Sequence, residues 1–293
     1  MRGWHGHEAR AARPARNAVT IRKAGLRALR KARIYRCGGS AGISPASRFS
    51  ATAIVAAPSS GADYIASGGR FPPWYTTKRG DATPIREAYV KLPALPKWCQ
   101  WNNFLRSHDE LDLGRLTDAE REEVFRAFGP DEDMQLYGRG IRRRLAPMLG
   151  NDRSRIELAH SLLLTLPGTP VLRYGDEIGM GDDLSLPARE SVRTPMQWND
   201  ESNCGFSFAA PDRLALPPIA DGQFGYRTVN VQAQRRDPDS LLNWLQRALR
   251  RRKECPEFAL GECTWIDTDP PQMLAQRFEL GDSTCFTISV RSA

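Results

Sequence analysis

Residues 98–110 run Trp98-Cys99-Gln100-Trp101-Asn102-Asn103-Phe104-Leu105-Arg106-Ser107-His108-Asp109-Glu110. A run of apolar and aromatic residues, too short for a helix, breaks off into an imidazole beside two carboxylates. Such a run reads as a buried strand. Polar residues gathered just past the C-terminal end of a strand sit where barrel enzymes keep their chemistry. Taken alone, Ser107-His108-Asp109-Glu110 is a hydrophilic loop. The sequence downstream changes that.

After Glu110, Thr117-Asp118-Ala119-Glu120 is a capping box that opens an acidic helix with Val124, Phe125 and Phe128 on one side. Gly129-Pro130 ends it, and Tyr137-Gly138-Arg139-Gly140 turns into a basic run from Ile141 to Leu145. Asn151-Asp152 caps a second helix, in which Ile156, Ala159, Leu162, Leu163 and Leu166 recur at helical spacing. Pro167-Gly168 stops that helix, and 170–174 forms another short strand. It too ends in acids, Gly175-Asp176-Glu177. Strand, helix, strand in this order is a βα unit feeding a parallel sheet. Two successive strands that end in polar clusters are what the rim of a (β/α) barrel requires.

A long polar loop follows, through Asp182-Asp183, Arg193-Thr194-Pro195-Met196-Gln197-Trp198 and Phe206. Asp237-Pro238-Asp239-Ser240 then caps a helix with Leu241, Leu245 and Leu249 on one face. Its last turn, Arg250-Arg251-Arg252-Lys253, is a solvated end matched to the helix dipole. Residues 262–290 alternate as antiparallel strands, with turn signals at Asp269-Pro270-Pro271 and Gly281-Asp282.

Upstream of residue 83 the composition shifts. Residues 1–60 hold 12 Lys and Arg against one acid, Glu8, so the whole positive excess of the +8 chain sits there. A basic helix over Val19–Arg36 would carry Ile21, Leu29 and Ile34 as scattered apolar positions. Such a segment is consistent with a nucleic-acid arm, a transit peptide, a membrane-surface helix or a disordered leader. With no aromatic interleaving and no motif, the disordered leader is favoured, and neither nucleic acid nor membrane is expected as a partner. Residues 61–82 form a linker punctuated by Gly and Pro, and a helix follows over Thr83–Val90. The expected organisation is thus a basic leader and linker over 1–82, a partial (β/α) barrel over 83–256 and the start of a small antiparallel β domain over 257–293. In fold class the chain is α/β.

No stretch reaches the roughly 18 apolar residues of a membrane span. The six cysteines form no C-x-x-C pair and show no zinc-like spacing. A reduced, cytoplasmic protein without metal or cofactor is expected.

The residues resemble the α-amylase superfamily of retaining α-glucosidases and transglucosidases. Residues 104–109, ending Ser107-His108-Asp109, are similar to the family segment at the end of the seventh barrel strand, usually Asn-His-Asp. Gly168-Thr169-Pro170 through Gly175-Asp176-Glu177 resembles its eighth-strand pattern G-x-P-x(4)-G-x-E, and Arg193 to Trp198 resembles the loop that follows. Ile141 to Met148, Gly179 to Asp183 and Asp237 to Asn243 look most like the trehalose synthases, which interconvert maltose and trehalose. The resemblance implies that Asp109 is the catalytic carboxylate that stabilises the transition state, and that His108 bonds the same sugar ring. Arg193 would contact substrate or form a structural ion pair, and Asp176 and Glu177 would hold the barrel rim. The substrate implied is a small α-glucoside, maltose or trehalose. The oligomeric state stays open.

A retaining glycosidase also needs a nucleophilic and an acid/base carboxylate about 5 Å apart. In this family they follow the fourth and fifth strands, and nothing before Trp98 resembles either. The expectation is therefore a C-terminal piece of such an enzyme, inactive alone, the alternatives being a non-catalytic sugar-binding remnant or a fragment of a hydrolase.

Overall fold

The computed structural model describes residues 33–34, 82–90, 92, 100–114, 116–269 and 273–290. The leader and linker expected over 1–82 lie outside them, apart from Ala82 and the two-residue strand β1, Arg33–Ile34. That pair falls within the leader read from the sequence as disordered, and it is extended. It runs parallel to a C-terminal strand, Arg33 opposite Cys285 and Ile34 opposite Phe286, so it covers that strand's outer edge at these two positions.

Helix α1, Thr83–Val90, buries Ile85 against Leu162, Leu166 and Leu274. Its Tyr89 hydroxyl donates to Asn103 Oδ1 at 3.1 Å and its ring packs on Trp265 with centroids 5.5 Å apart. Strand β2, Asn102–Phe104, lies parallel to β6, Thr169–Val171, with Asn103 opposite Pro170. Both strands are shorter than the sequence led us to expect: 98–99 lie outside the described residues, and the second ends at Val171 rather than Tyr174. The chain leaves the ladder there because Arg173, buried just beyond it, bonds carbonyls of two other loops.

Between β2 and β6 come a small antiparallel sheet and the helices. Strands β3 (Leu111–Asp112), β4 (Gln135–Leu136) and β5 (Gly140–Ile141) pair in the order β3-β5-β4. Two-residue strands leave no period to read, so this sheet was not foreseen. Helix α2, Asp118–Phe128, carries the expected box: the Glu120 amide donates to Thr117 Oγ1 at 3.4 Å, and Glu120 Oε2 accepts from the Thr117 amide at 2.9 Å. A short helix α3, Leu145–Met148, precedes α4, Arg153–Thr165, whose cap Asp152 accepts from the Arg155 amide at 3.1 Å. Ile156, Ala159 and Leu163 of α4 join Leu105, Leu111, Val124, Ile141 and Leu145 in the main core.

The segment from 172 to 230 holds four 3-10 turns: Asp176–Ile178, Ala188–Val192, Ser202–Gly205 and Pro211–Arg213. Helix α5, Val231–Arg236, is capped by Asn230, which accepts from the Ala233 amide at 2.7 Å. Helix α6, Leu241–Lys253, starts at Ser240 as expected. Its Leu245 is buried, like Leu163 of α4, and burial of each such leucine stabilises by about 1.5–3 kcal/mol. The basic last turn is not wholly solvated: Arg252 reaches the Leu164 carbonyl at the end of α4 and the Gly168 carbonyl. Helix α7, Glu257–Leu260, leads to β7 (Glu262–Ile266), β8 (Met273–Leu280) and β9 (Ser283–Val290), an antiparallel meander with β9 beside β1. Among the described residues no helix is long and apolar enough to cross a membrane.

Candidate active site

The parallel strands β2 and β6 release their loops at the same end, and buried arginines pin both. Arg106 donates through Nε to the Arg143 carbonyl at 2.8 Å and through Nη2 to the carbonyls of Asp109 at 3.1 Å and Ile141 at 3.3 Å. Arg173, from the loop after β6, bonds the carbonyls of Ser107 and Val192. Burial, with other arginines nearby, lowers the pKa of each of these guanidiniums to about 10. Ser107 Oγ accepts from the Asp109 amide at 3.2 Å. The serine that replaces the family's usual asparagine therefore still braces the carboxylate's backbone.

These loops bring together all three residues singled out in the sequence. Arg193 Nη2 donates to Asp109 Oδ1 at 2.8 Å, and Arg193 Nε donates to the His108 carbonyl at 2.9 Å. His108 Nε2 lies 3.6 Å from Asp109 Oδ2, with its side chain 72% exposed against 37% for Asp109. Both side chains are open to solvent. The second carboxylate turns the other way. Glu110 is buried and held by Arg189, Nε at 2.5 Å and Nη2 at 3.0 Å. Burial pushes the Glu110 carboxyl up, but the Arg189 hydrogen bond and charge outweigh it, leaving the group below its ordinary value. The same Arg189 Nε lies 3.5 Å from Asp109 Oδ1, so two guanidiniums face one carboxylate oxygen. Glu110 fits here because Gly140 has no side chain; a Cβ there would stand 2.5 Å from Glu110 Cγ.

The basic run before α3, which carried no function in the sequence, frames the site from behind. Arg142 bonds the carbonyls of Asp133, Leu184, Leu186 and Ala188. Arg143 Nε shares both oxygens of Asp182 at 3.0 Å, and the Arg144 amide donates to Asp182 Oδ2 at 2.7 Å. Arg144 is fully buried, with Nη2 on the Tyr174 carbonyl and 3.4 Å from Asp176 Oδ1. Gly175, at φ +86°, is required beside it: a Cβ would lie 2.7 Å from Arg144 Nη2 and 2.4 Å from Met180 Sδ. Three consecutive arginines inserted into a polar loop were the available sequence signal for a buried staple. Asp176 is thus buried beside a guanidinium.

Arg193 also lines a cleft of about 490 Å³, whose walls include Tyr174, Glu177, Thr194, Trp198 and Phe206 but not Asp109 or His108. Burial raises the Glu177 carboxyl above its ordinary value. The sequence had not marked Trp198 or Phe206 as site residues. Among the described residues no group of three or more His, Cys, Asp or Glu is placed to hold a metal ion.

Residues 141–261 match the alpha amylase catalytic domain. The chain is 49% identical over 198 residues to the trehalose synthase/amylase of Mycolicibacterium smegmatis, covering 68% of this chain and 33% of that one. It is 47% identical over 203 residues to the trehalose synthase of Pimelobacter sp., covering 69% and 35%. It is also 41% identical over 110 residues to the human amino acid transporter heavy chain SLC3A1, covering 35% and 15%. The chain spans about a third of the length of the trehalose synthases it matches. The alpha amylase catalytic domain match thus spans β6 and α4, and β2, α4 and β6 form a parallel strand–helix–strand unit with an antiparallel sheet after it.

Proposed function

We propose that this chain supplies the sugar-gripping rim of a trehalose-synthase-type glucosyltransferase, with maltose or trehalose as its ligand. The observation that supports it most is the Arg193–Asp109–His108 constellation: two loops far apart in sequence meet on one partly exposed carboxylate. Asp109 faces the glucose ring that becomes oxocarbenium-like, and its negative charge counts most as positive charge develops there. His108 bonds a ring hydroxyl. Arg193 fixes the direction of the carboxylate.

Glucosyl transfer also needs a nucleophile and an acid/base, carboxylates about 5 Å apart. We assign neither role to this chain's residues; Glu110 and Asp176, acids on the same two loops, are taken by Arg189 and Arg144. We place the protein in the cytoplasm, a reading supported by the free thiols of Cys204, Cys263 and Cys285.

A second reading, a sugar holder without chemistry, draws on the stretch shared with the transporter heavy chain, whose name describes no enzyme. A chimera separates the two. Residues 83–293 would replace the matching third of the M. smegmatis relative, and products from maltose would be separated by chromatography. Trehalose formation supports the transferase reading; maltose binding without trehalose or glucose would leave the second.

A further inference from the structure

We propose that Cys255 and Cys285 form an oxidation site: a small hydroperoxide converts their two thiols into a disulfide that locks β9 to the turn after α6. The proposal is independent of the sugar reading and uses none of its residues.

The cysteines show no pairing motif in the sequence, yet the fold brings three of them to one place. Cys255, in the turn between α6 and α7, is buried with Phe258, Phe278 and Cys285, and Cys263 packs on the same cluster. Two alternate residues of the first segment meet two alternate residues of β9. Glu257 accepts from the Ser283 hydroxyl, and the Cys255 and Cys285 thiols are hydrogen-bonded to one another. Alternate residues of a strand share a face, so the two contacts hold each other in register. The Phe258 and Phe278 rings pack edge to face in the same cluster, with centroids 5.1 Å apart. The backbone is fixed as well: the Cys255 amide donates to the Arg252 carbonyl at 3.1 Å, and the Phe258 amide to the Cys255 carbonyl at 3.2 Å. A Cβ on Gly261 would stand 2.9 Å from the Glu279 carbonyl oxygen, so the chain leaves α7 close against the backbone of β8. Cys263 is set apart. In the sheet register Phe278 stands between it and Cys285, and its sulfur accepts from Gln276 Nε2 at 3.6 Å. The site is therefore a pair of thiols rather than a three-ligand metal set.

The hydrogen bond to Cys255, with burial behind it, pushes the Cys285 thiol well above its ordinary pKa, so Cys285 keeps its proton. The first step therefore falls to Cys255. Its sulfur attacks one oxygen of the peroxide and the O–O bond breaks. Cys255 becomes a sulfenic acid, and the departing hydroxide leaves as water with the Cys255 proton. The Cys285 sulfur then attacks the Cys255 sulfur, the S–O bond breaks, and the hydroxyl takes the Cys285 proton and leaves as a second water. The two thiols lose two electrons and the peroxide gains them. Burial of both sulfurs makes closure slow and favours hydrogen peroxide over a bulky disulfide oxidant. The new bond ties β9 to the end of α6, where Arg252 already holds the Leu164 and Gly168 carbonyls. It closes a loop of about 30 residues, long enough for the cross-link to restrict the unfolded chain.

The test uses the whole 293-residue chain, treated with hydrogen peroxide and followed by non-reducing mass spectrometry and by thermal melting. Trypsin cuts after Lys253, Arg277 and Arg291, so the link joins residues 254–277 to 278–291 with the loss of two hydrogens. The melting midpoint should rise by about 5–10 °C and return on adding dithiothreitol. Cys285→Ala should lose both the link and the rise. The first peptide also holds Cys263, so Cys263→Ala is the control, and it should keep both. Fragmentation of the linked peptides assigns the sulfur in the wild type, whether or not the variants fold. A chain left unlinked by peroxide, a link that fragmentation assigns to Cys263, or a link that leaves the midpoint unchanged or lower would overturn the proposal. So would sulfinic or sulfonic acid on Cys255 in place of the link.

Discussion

Arg193 and Asp109, 84 residues apart in sequence, are joined by a 2.8 Å hydrogen bond from Nη2 to Oδ1. The loop after β6 thereby sets the direction of the carboxylate on the loop after β2. Replacing Arg193 with methionine leaves the Asp109 carboxylate with Arg189 Nε at 3.5 Å and His108 Nε2 at 3.6 Å. Maltose affinity of the chain should fall about tenfold, the scale of one lost hydrogen bond to a charged group. A titration that gave wild-type affinity would show that Arg193 does not orient the site.

Glu110 and Arg189 give a pH-dependent contribution whose sign is fixed by geometry. The folded carboxyl lies below its ordinary value of 4.5, because Arg189 outweighs the burial. Its stabilisation is therefore fully present above the unfolded value and is lost as pH falls through the folded one. Urea midpoints of the wild type and Glu110→Gln should differ at pH 7 and converge in the acid range below about pH 4. A gap that widened on acidification would reverse the assignment.

His160 behaves in the same sense for a different reason. It is fully buried on α4, beside Asp176. Burial lowers its pKa from 6.5, against the nearby charge of Asp176. The folded protein keeps the ring neutral, so stability present above pH 6.5 declines as pH falls below it. In melting curves from pH 7.5 to 5.5, His160→Leu should flatten that decline. A parallel slope in the variant would mean that His160 is not its source.

Arg144 is the deepest staple behind the site, with Asp176 beside it. Arg144→Met strands a buried carboxylate, so a loss of about 3–5 kcal/mol is expected in chemical denaturation. The double change Arg144→Met with Asp176→Asn should recover part of it, because the uncompensated charge is gone. A single-variant loss below about 1 kcal/mol would show that water compensates the carboxylate instead.

Local chemistry was readable in the sequence. Thr117 with Glu120, Asp152 and Ser240 cap the helices they were read to cap, because a cap and a periodic apolar face both lie within a few residues. The parallel pairing of β2 with β6 followed from the helices between them. What the sequence hid depends on distant partners. Glu110 and Asp109 are neighbours that both carry a carboxylate, and it takes the distant Arg189 to hold Glu110 in the protein while Asp109 stays partly exposed. The 3-10 turns between 176 and 213 have no period of their own; Arg142 holds one of them by carbonyls more than 40 residues away. Trp198 and Phe206 meet only because Asn203 and Cys204 take left-handed backbone, which their identities do not announce.

The central claim is that Asp109 stabilises the cationic sugar rather than merely holding it. The most direct measurement is the steady-state kinetics of Asp109→Asn in the chimera described above, with maltose as substrate. Turnover should fall about 10²–10³-fold, as when a single electrostatic stabiliser is removed, while KM changes by no more than about threefold. His108→Ala should cost less, since it removes a neutral contact. An Asp109→Asn enzyme with unchanged kcat would contradict the account and take Asp109 out of the catalytic set.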